Sequence, residues 1–292
     1  MGEPPSLDVV IVSYRCRELL RRCLDAVIAN APERPLTVWV VDNDSRDGTV
    51  EMVGAEYPAV RLVANDRNLG FSAANNIAIR ASDGDYVLAL NPDTEVTPGA
   101  LEQLCALLDA QPEVGICGPA LKQADGTPDH AARRSFPTPL SALGHFTGIG
   151  RRRSSGALAA YRAPDVASGP VDAVNGAFML MRRAALERVG LFDEGYWMYM
   201  EDLDLCYRFA EAGWVTWYEP SVTVRHLKAG TSGKHRSVRL NYAFHYGMLR
   251  FYRAHYAAGR HPLLNATVYA GIAVKLAAAV AASFVGRRVR RS

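Results

Sequence analysis

The feature that most constrains this chain is an alternation running through residues 1–110. Short apolar runs rich in β-branched residues alternate with segments of helical periodicity, and a polar cluster follows each run. The runs at 7–12, 37–41 and 86–90, with a shorter one at 60–63, are too continuously apolar for strands with one wet face. They predict strands buried on both faces. Between them, residues 18–28 place Leu19, Leu20, Cys23, Leu24 and Val27 at helical spacing. Asp47-Gly48-Thr49 opens a second helix, 70–80 is a third rich in small residues, and 98–108 is a fourth with Pro98 near its first turn. This order predicts an α/β fold whose central sheet is Rossmann-like, mostly parallel and covered by helices on both faces.

Sheets of this kind bind ligands beyond the carboxyl ends of their strands. Ser13 and Tyr14 follow the first run, Asp42-Asn43-Asp44 the second, residues 65–68 the third and Asn91-Pro92-Asp93 the fourth. Four polar clusters at one sheet edge are a site expectation that rests on the pattern alone.

The stretch 136–165 is irregular, with Pro137, Pro139 and the run Arg151-Arg152-Arg153. It reads as a mobile lid, with a structured insertion as the alternative. Strands are expected at 171–174, 178–181 and 222–225, and a helix at 201–212. Two helices close the chain. The first, 237–256, mixes arginines with tyrosines and phenylalanines. The second, 263–285, is nearly all apolar and is followed by Arg287, Arg288, Arg290 and Arg291. It approaches the ~20 residues needed to cross a bilayer. Lys275 in its middle would cost about 2.5–3.5 kcal/mol at a bilayer centre. A helix lying on the membrane or partly inserted in it is therefore favoured over a true span or packing on its own domain, and the arginines suit anionic lipid.

Composition removes other classes. The net charge of +3 gives no basic field for nucleic acid. Five cysteines without a CxxC pair suggest neither a disulfide framework nor a zinc site. The first residues lack the pattern of a secretory signal, which reads as a cytoplasmic protein with reduced thiols. There is no Gly-x-Ser-x-Gly elbow and no phosphate-binding Walker loop, and Gly148-Ile149-Gly150 does not follow a clear strand.

The remaining motifs each carry two readings. Asp93, fixed just after a strand, suits a hard cation, while Asn91-Pro92-Asp93 is also good turn chemistry. Glu201, Asp202 and Asp204 suit acid–base work, and acids at a helix start are also favoured by the helix dipole. Tyr196, Trp197 and Tyr199 before them could stack on a sugar. His226 suits a manganese-type ion or a structural role. Asp42 could accept from a pyrimidine base or cap a turn. The segment Asn68-Leu69-Gly70-Phe71 with Asn75 and Asn76 could face phosphate or simply begin a helix. Asn175-Gly176-Ala177 could line an acceptor pocket or form a bulge.

In order, these pieces resemble family 2 glycosyltransferases, within them the bacterial rhamnosyltransferase-like members. The matching segments are Val9-Val10-Ile11-Val12-Ser13-Tyr14, Val40-Val41-Asp42-Asn43-Asp44-Ser45, Asn68-Leu69-Gly70-Phe71 and Leu90-Asn91-Pro92-Asp93-Thr94. They continue with Asn175-Gly176-Ala177, Gly190-Leu191-Phe192-Asp193-Glu194, Met200-Glu201-Asp202-Leu203-Asp204 and Val224-Arg225-His226. The resemblance implies a GT-A fold over 1–235, with a nucleotide-binding half at about 1–118 and an acceptor half at about 119–235. Residues 236–292 would be a helical membrane-associating extension. It implies an inverting, non-processive enzyme that uses Mg2+ or Mn2+ and works at the inner face of the plasma membrane. The donor would be a nucleotide sugar, first dTDP-L-rhamnose, with UDP- and GDP-sugars as alternatives. The acceptor would be a lipid-linked glycan. Ser13, Tyr14, Asp42, Asn43, Asn68, Gly70, Asn75, Asn91 and Asp93 would hold the nucleotide sugar. Asp93 and His226 would hold the metal, and Asp202 would be the base, with Glu201 in support. Asn175, Gly176, Trp197, Tyr199 and Asp204 would meet the acceptor. The family's common Asp-x-Asp reads Asn91-Pro92-Asp93 here, which puts Glu95 forward as a substitute ligand. An inactive nucleotide-sugar-binding scaffold is the reading from another class.

Overall fold

The computed structural model describes residues 3–137, 167–228 and 237–289. The arginine run 151–153, nearly all of the stretch expected as a lid, the loop 229–233 and the last arginines, Arg290 and Arg291, lie outside the described residues.

The expected alternation is present. Strand β1 (Leu7–Ser13) leads to helix α1 (Arg17–Ala29), β2 (Leu36–Asp42) to α2 (Thr49–Glu56), β3 (Arg61–Ala64) to α3 (Phe71–Ala81), and β4 (Tyr86–Leu90) to the short β5 (Thr94–Glu95) and α4 (Ala100–Ala110). Then come β6 (Val114–Lys122), β7 (Arg133–Arg134), β8 (Gly169–Pro170), β9 (Ala173–Val174), β10 (Phe178–Arg182) and α5 (Arg183–Val189). Helix α6 (Glu201–Glu211), strand β11 (Val215–His226), and helices α7 (Val238–His255) and α8 (Pro262–Val289) complete the order.

Nine of these strands form one sheet, in the order β3-β2-β1-β4-β10-β6-β11-β5, with β8 beside β11. The pairs β1–β2, β1–β4, β2–β3 and β6–β11 are parallel, while β10 runs antiparallel between β4 and β6. The apolar runs are continuous because both faces are covered. On β1, Val9 and Ile11 enter one core with Leu20, Leu24 and Leu104, and Val10 enters the other with Ala78, Leu203 and Phe209. The sequence pattern misses β6 and α5. Gly115, Gly118 and Pro119 break up the apolar pattern of β6, and α5 spans only seven residues.

The closing helices form a hairpin. Asn241 donates to Ser283 at 2.9 Å and Tyr252 to Asn265 at 2.7 Å. Helix α7 buries Phe251 in the second core, and its Arg250 forks onto Asp193 at 2.8 Å.

Candidate functional site

Strands β1, β2, β4, β6 and β11 point the same way, so their carboxyl ends share one edge. Tyr14, Asn43, the Asn91–Asp93 turn and His226 arrive there directly. Because β10 runs the other way, the residues before it, Asn175, Gly176 and Ala177, reach the same edge. These groups wall a cavity of about 750 Å³. Asn68, Gly70, Arg134, residues 197–202, Lys228 and the start of α7 close it.

One corner is built by pairing β5 against β11. His226 stands opposite Thr94, and the Leu227 N–H donates to the Asp93 carbonyl at 2.9 Å. This register sets His226 Nε2 3.4 Å from Asp93 Oδ1. On the other side of the ring, Asp129 Oδ2 lies 3.3 Å from Nδ1. Asp129 also accepts from Lys228 Nζ at 2.8 Å and from the Ala131 N–H at 3.0 Å. Burial favours the neutral acid, but the hydrogen bonds from His226 and Lys228 hold Asp129 well below the usual carboxylate range. Burial would lower His226, yet its hydrogen bonds to Asp129 and Asp93 outweigh this and push it up to about 9.

A spot flanked by two carboxylates favours positive charge, whether a proton or a metal ion. Among the described residues no cluster of three or more His, Cys, Asp or Glu could hold a metal by itself. Asp129 engages the far ring nitrogen, so Asp93 and His226 are the pair facing the cavity. That donor set fits a hard cation shared with phosphate oxygens. Glu95, the substitute ligand suggested by the sequence, instead faces Arg22 and Arg225 and does not line the cavity.

The opposite chemistry sits at the start of α6. Tyr199 and Met200 are both left-handed, with φ of 71° and 74°, and the turn they make aims the helix start into the cavity. Such strained pairs persist where the surroundings hold them, often at functional sites. Asp202 Oδ2 accepts from the Gly176 N–H at 2.9 Å and from the Arg134 guanidinium, and Oδ1 accepts from the Leu203 N–H at 2.8 Å. Glu201 beside it is buried, and its Oε2 has no partner among the described residues. Burial first, and the neighbouring Asp202 charge second, push Glu201 up to about 8. The site thus sets an acid whose proton is held more tightly than usual beside Asp202, which pairs with Arg134.

A family model described as glycosyl transferase family 2 matches residues 8–190, more than half of the chain. The chain belongs to glycosyl transferase family 2. This family 2 glycosyltransferase is 36% identical over 241 residues to the N-acetylglucosaminyl-diphospho-decaprenol L-rhamnosyltransferase of Mycobacterium tuberculosis, covering 78% of each chain. It is 27% identical to the rhamnosyltransferase WbbL of Escherichia coli K12, over 75% of this chain and 82% of that one. In fold it is similar to the mannosyltransferase PcManGT from Pyrobaculum calidifontis, solved with GDP-Man and Mn2+, with a TM-score of 0.59, 20% identity and coverage of 97% and 76%. It is also similar to GalNAc-T7, solved with UDP, GalNAc and Mn2+, with a TM-score of 0.60, 16% identity and 86% of this chain covered. The matched part is 48% of the GalNAc-T7 chain, so this chain spans about half its length. The GT-A fold expected from the sequence is the fold observed.

In this glycosyltransferase, Tyr14, Asn43, Asn68, Gly70, Asn91, Asp93, Asn175, Gly176, Trp197, Tyr199, Glu201, Asp202 and His226 all line the cavity. Asn43 Nδ2 donates to the Gly70 carbonyl and Asn68 Oδ1 accepts the Gly70 N–H, which knits the wall between β2 and α3. Gly70 has φ of 89°, and a Cβ there would run into the Trp197 carbonyl. Four expected residues are not brought to the cavity. Ser13 is buried with its Oγ 3.4 Å from Cys16 Sγ. Asn75 donates back to the Phe71 carbonyl at 2.9 Å. Asp42 is buried just behind Asn43, with Oδ2 on the Ser45 N–H and Oδ1 without a partner among the described residues. Asp204, expected at the acceptor, is turned to Tyr196, Arg208 and His255 and ties α6 to α7. The sequence reading missed Asp129, Arg134, Lys228 and Arg239. Only Lys228, two residues past His226, carried a local signal.

Proposed function

We propose that this glycosyltransferase moves an L-rhamnosyl residue from dTDP-L-rhamnose, with inversion, onto a hydroxyl of a sugar joined through a diphosphate to a polyprenol lipid. In this reading it serves cell-envelope polysaccharide synthesis from the inner membrane face. The observation that carries it is one cavity lined by both an Arg134-held Asp202 and the Asp93–His226 pair. The Mycobacterium tuberculosis relative supports the choice of sugar and acceptor.

Each side chain has a task. Asp202 takes the proton of the acceptor hydroxyl, which is a weak nucleophile near neutral pH. The Gly176 N–H and Arg134 fix its carboxylate, so orientation is set before the substrate arrives. Attack from the face opposite the leaving diphosphate inverts the anomeric centre. Glu201, holding its proton, offers a hydrogen bond beside the base. Residues 1–118 supply the donor wall, Asn175, Gly176 and the 197–202 segment the acceptor wall. Asp93 and His226 would hold Mg2+ or Mn2+ jointly with the diphosphate, and when bound the ion would neutralise the charge that grows on the leaving group.

The test is transfer from dTDP-L-rhamnose to a short-chain prenyl-diphosphate-linked N-acetylglucosamine, with the product's anomeric configuration read by NMR. Wild type should give the inverted linkage. Asp202→Asn should lower the rate about 10²–10⁴-fold while leaving dTDP binding unchanged. Turnover with a UDP- or GDP-sugar instead would replace the donor, and no turnover with any donor would leave the scaffold reading.

A further inference from the structure

The start of α7 reaches the cavity through Ser237, Arg239 and Leu240. Arg239 is exposed at the cavity mouth, its guanidinium carbon 4.0 Å from the centre of the Trp197 ring. Trp197 is itself anchored to the donor wall. Its carbonyl accepts the Phe71 N–H at 2.8 Å and backs onto Gly70.

Among the described residues, the other basic side chains around the cavity are committed. Arg134 pairs with Asp202, Lys228 with Asp129, and His226 lies between Asp129 and Asp93. Among the described residues Arg239 has no carboxylate partner. An indole face attracts a guanidinium but cannot neutralise it, and takes none of its N–H donors into a hydrogen bond with a carboxylate. A guanidinium held in this way has already lost much of its rotamer freedom, so less is forfeited when it grips an anion. Planar, forked donors of this kind match phosphate oxygens.

We infer that Arg239 binds the diphosphate of a substrate, making the C-terminal helix a working wall of the transferase site. The inference rests on the proposed function, in which both donor and acceptor carry a diphosphate. Trp197 and Gly70 set Arg239 beside the donor wall, and α7 packs against the apolar helix α8. Either substrate could supply the group.

Calorimetric titration with dTDP and Mn2+, with thymidine as a phosphate-free control, would be run on the full chain as wild type, Arg239→Ala and Arg239→Lys. The KM for the prenyl-diphosphate-linked N-acetylglucosamine would be measured beside it at saturating dTDP-L-rhamnose. A loss in dTDP affinity of about 10–100-fold in Arg239→Ala, partly restored by lysine and absent for thymidine, assigns the contact to the nucleotide. Unchanged dTDP affinity with the acceptor KM raised by a similar factor assigns it to the lipid diphosphate. Both constants within about twofold of wild type overturn the inference. A wild-type chain that binds no dTDP and transfers no sugar overturns the functional reading, and the inference falls with it.

Discussion

Two buried acids differ in what surrounds them, and each leads to a measurement. Glu201 is buried with an unpartnered oxygen next to the Asp202 charge, so its proton is held up to about pH 8, against 4.5 for the free side chain. Between those values the folded chain keeps a proton that the unfolded chain has released. Stability from this group is therefore complete below pH 4.5 and lost as pH rises through about 8. Each pH unit over which only the folded chain holds this proton is worth roughly 1.4 kcal/mol, so wild type should lose up to a few kcal/mol against Glu201→Gln between about pH 5 and 8.5. Urea midpoints at the two pH values check this, and parallel losses in the two proteins would refute it. Asp129 is the contrary case, a carboxylate kept charged by His226 and Lys228. By accepting from Nδ1 it leaves Nε2 of His226 facing Asp93. Partners of this type typically carry a 10–100-fold effect on metal affinity. Asp129→Ala should weaken Mn2+ binding in the presence of dTDP by about that factor, read by the free-Mn2+ signal in electron paramagnetic resonance, and Asp129→Asn should recover part of it. Equal affinity in all three proteins would mean the ring is oriented by other contacts.

At the scale of elements, α8 is only sparsely packed on the rest of the chain. Pro262–Ser283 is long and apolar enough to cross a membrane, and only 6% of its most apolar window is buried. Leu263 and Val274 are 71% and 68% exposed. A face of that kind in water is unfavourable, and a lipid surface removes the cost. Replacing both residues, Leu263→Asp with Val274→Asp, leaves the folded packing untouched. It should weaken sedimentation with anionic vesicles by at least about tenfold per residue, from roughly 1.5–3 kcal/mol of lost burial each. Unchanged vesicle binding would return α8 to a role within the protein or against another chain.

Over the whole molecule, the cavity edge depends on segments far apart in the chain staying in register. The Asp204 carboxylate is the fastener between the helix that carries Asp202 and the helix that carries Arg239. It takes His255 Nε2 at 2.8 Å and Arg208 Nε at 2.8 Å. Removing one hydrogen bond to a buried charge costs about 1.5–3 kcal/mol. His255→Ala should lower urea-unfolding stability by that amount with little change in slope, since Arg208 still pairs with Asp204. A stability equal to wild type would show that the hairpin is held by Arg250–Asp193 and the buried Phe251 instead.

The sequence by itself determined the alternation of strand and helix, the two-faced burial of β1, β2 and β4, and the arrival of Tyr14, Asn43 and Asp93 at one edge. These follow from local periodicity and from the direction in which each strand ends, and both are written in consecutive residues. Only the tertiary structure decided that β10 runs backward, which delivers Asn175 and Gly176 from before a strand rather than after one. It also decided that β5 pairs with β11, bringing Asp93 to a histidine far along the chain, and that Asp204 faces a helix while Asp202 faces the cavity. Asp129, Arg134 and Arg239 gain their roles from partners 97, 68 and 42 residues away respectively: His226, Asp202 and Trp197. Local patterns cannot carry such pairings, because they arise only when distant strands and helices close one shared core.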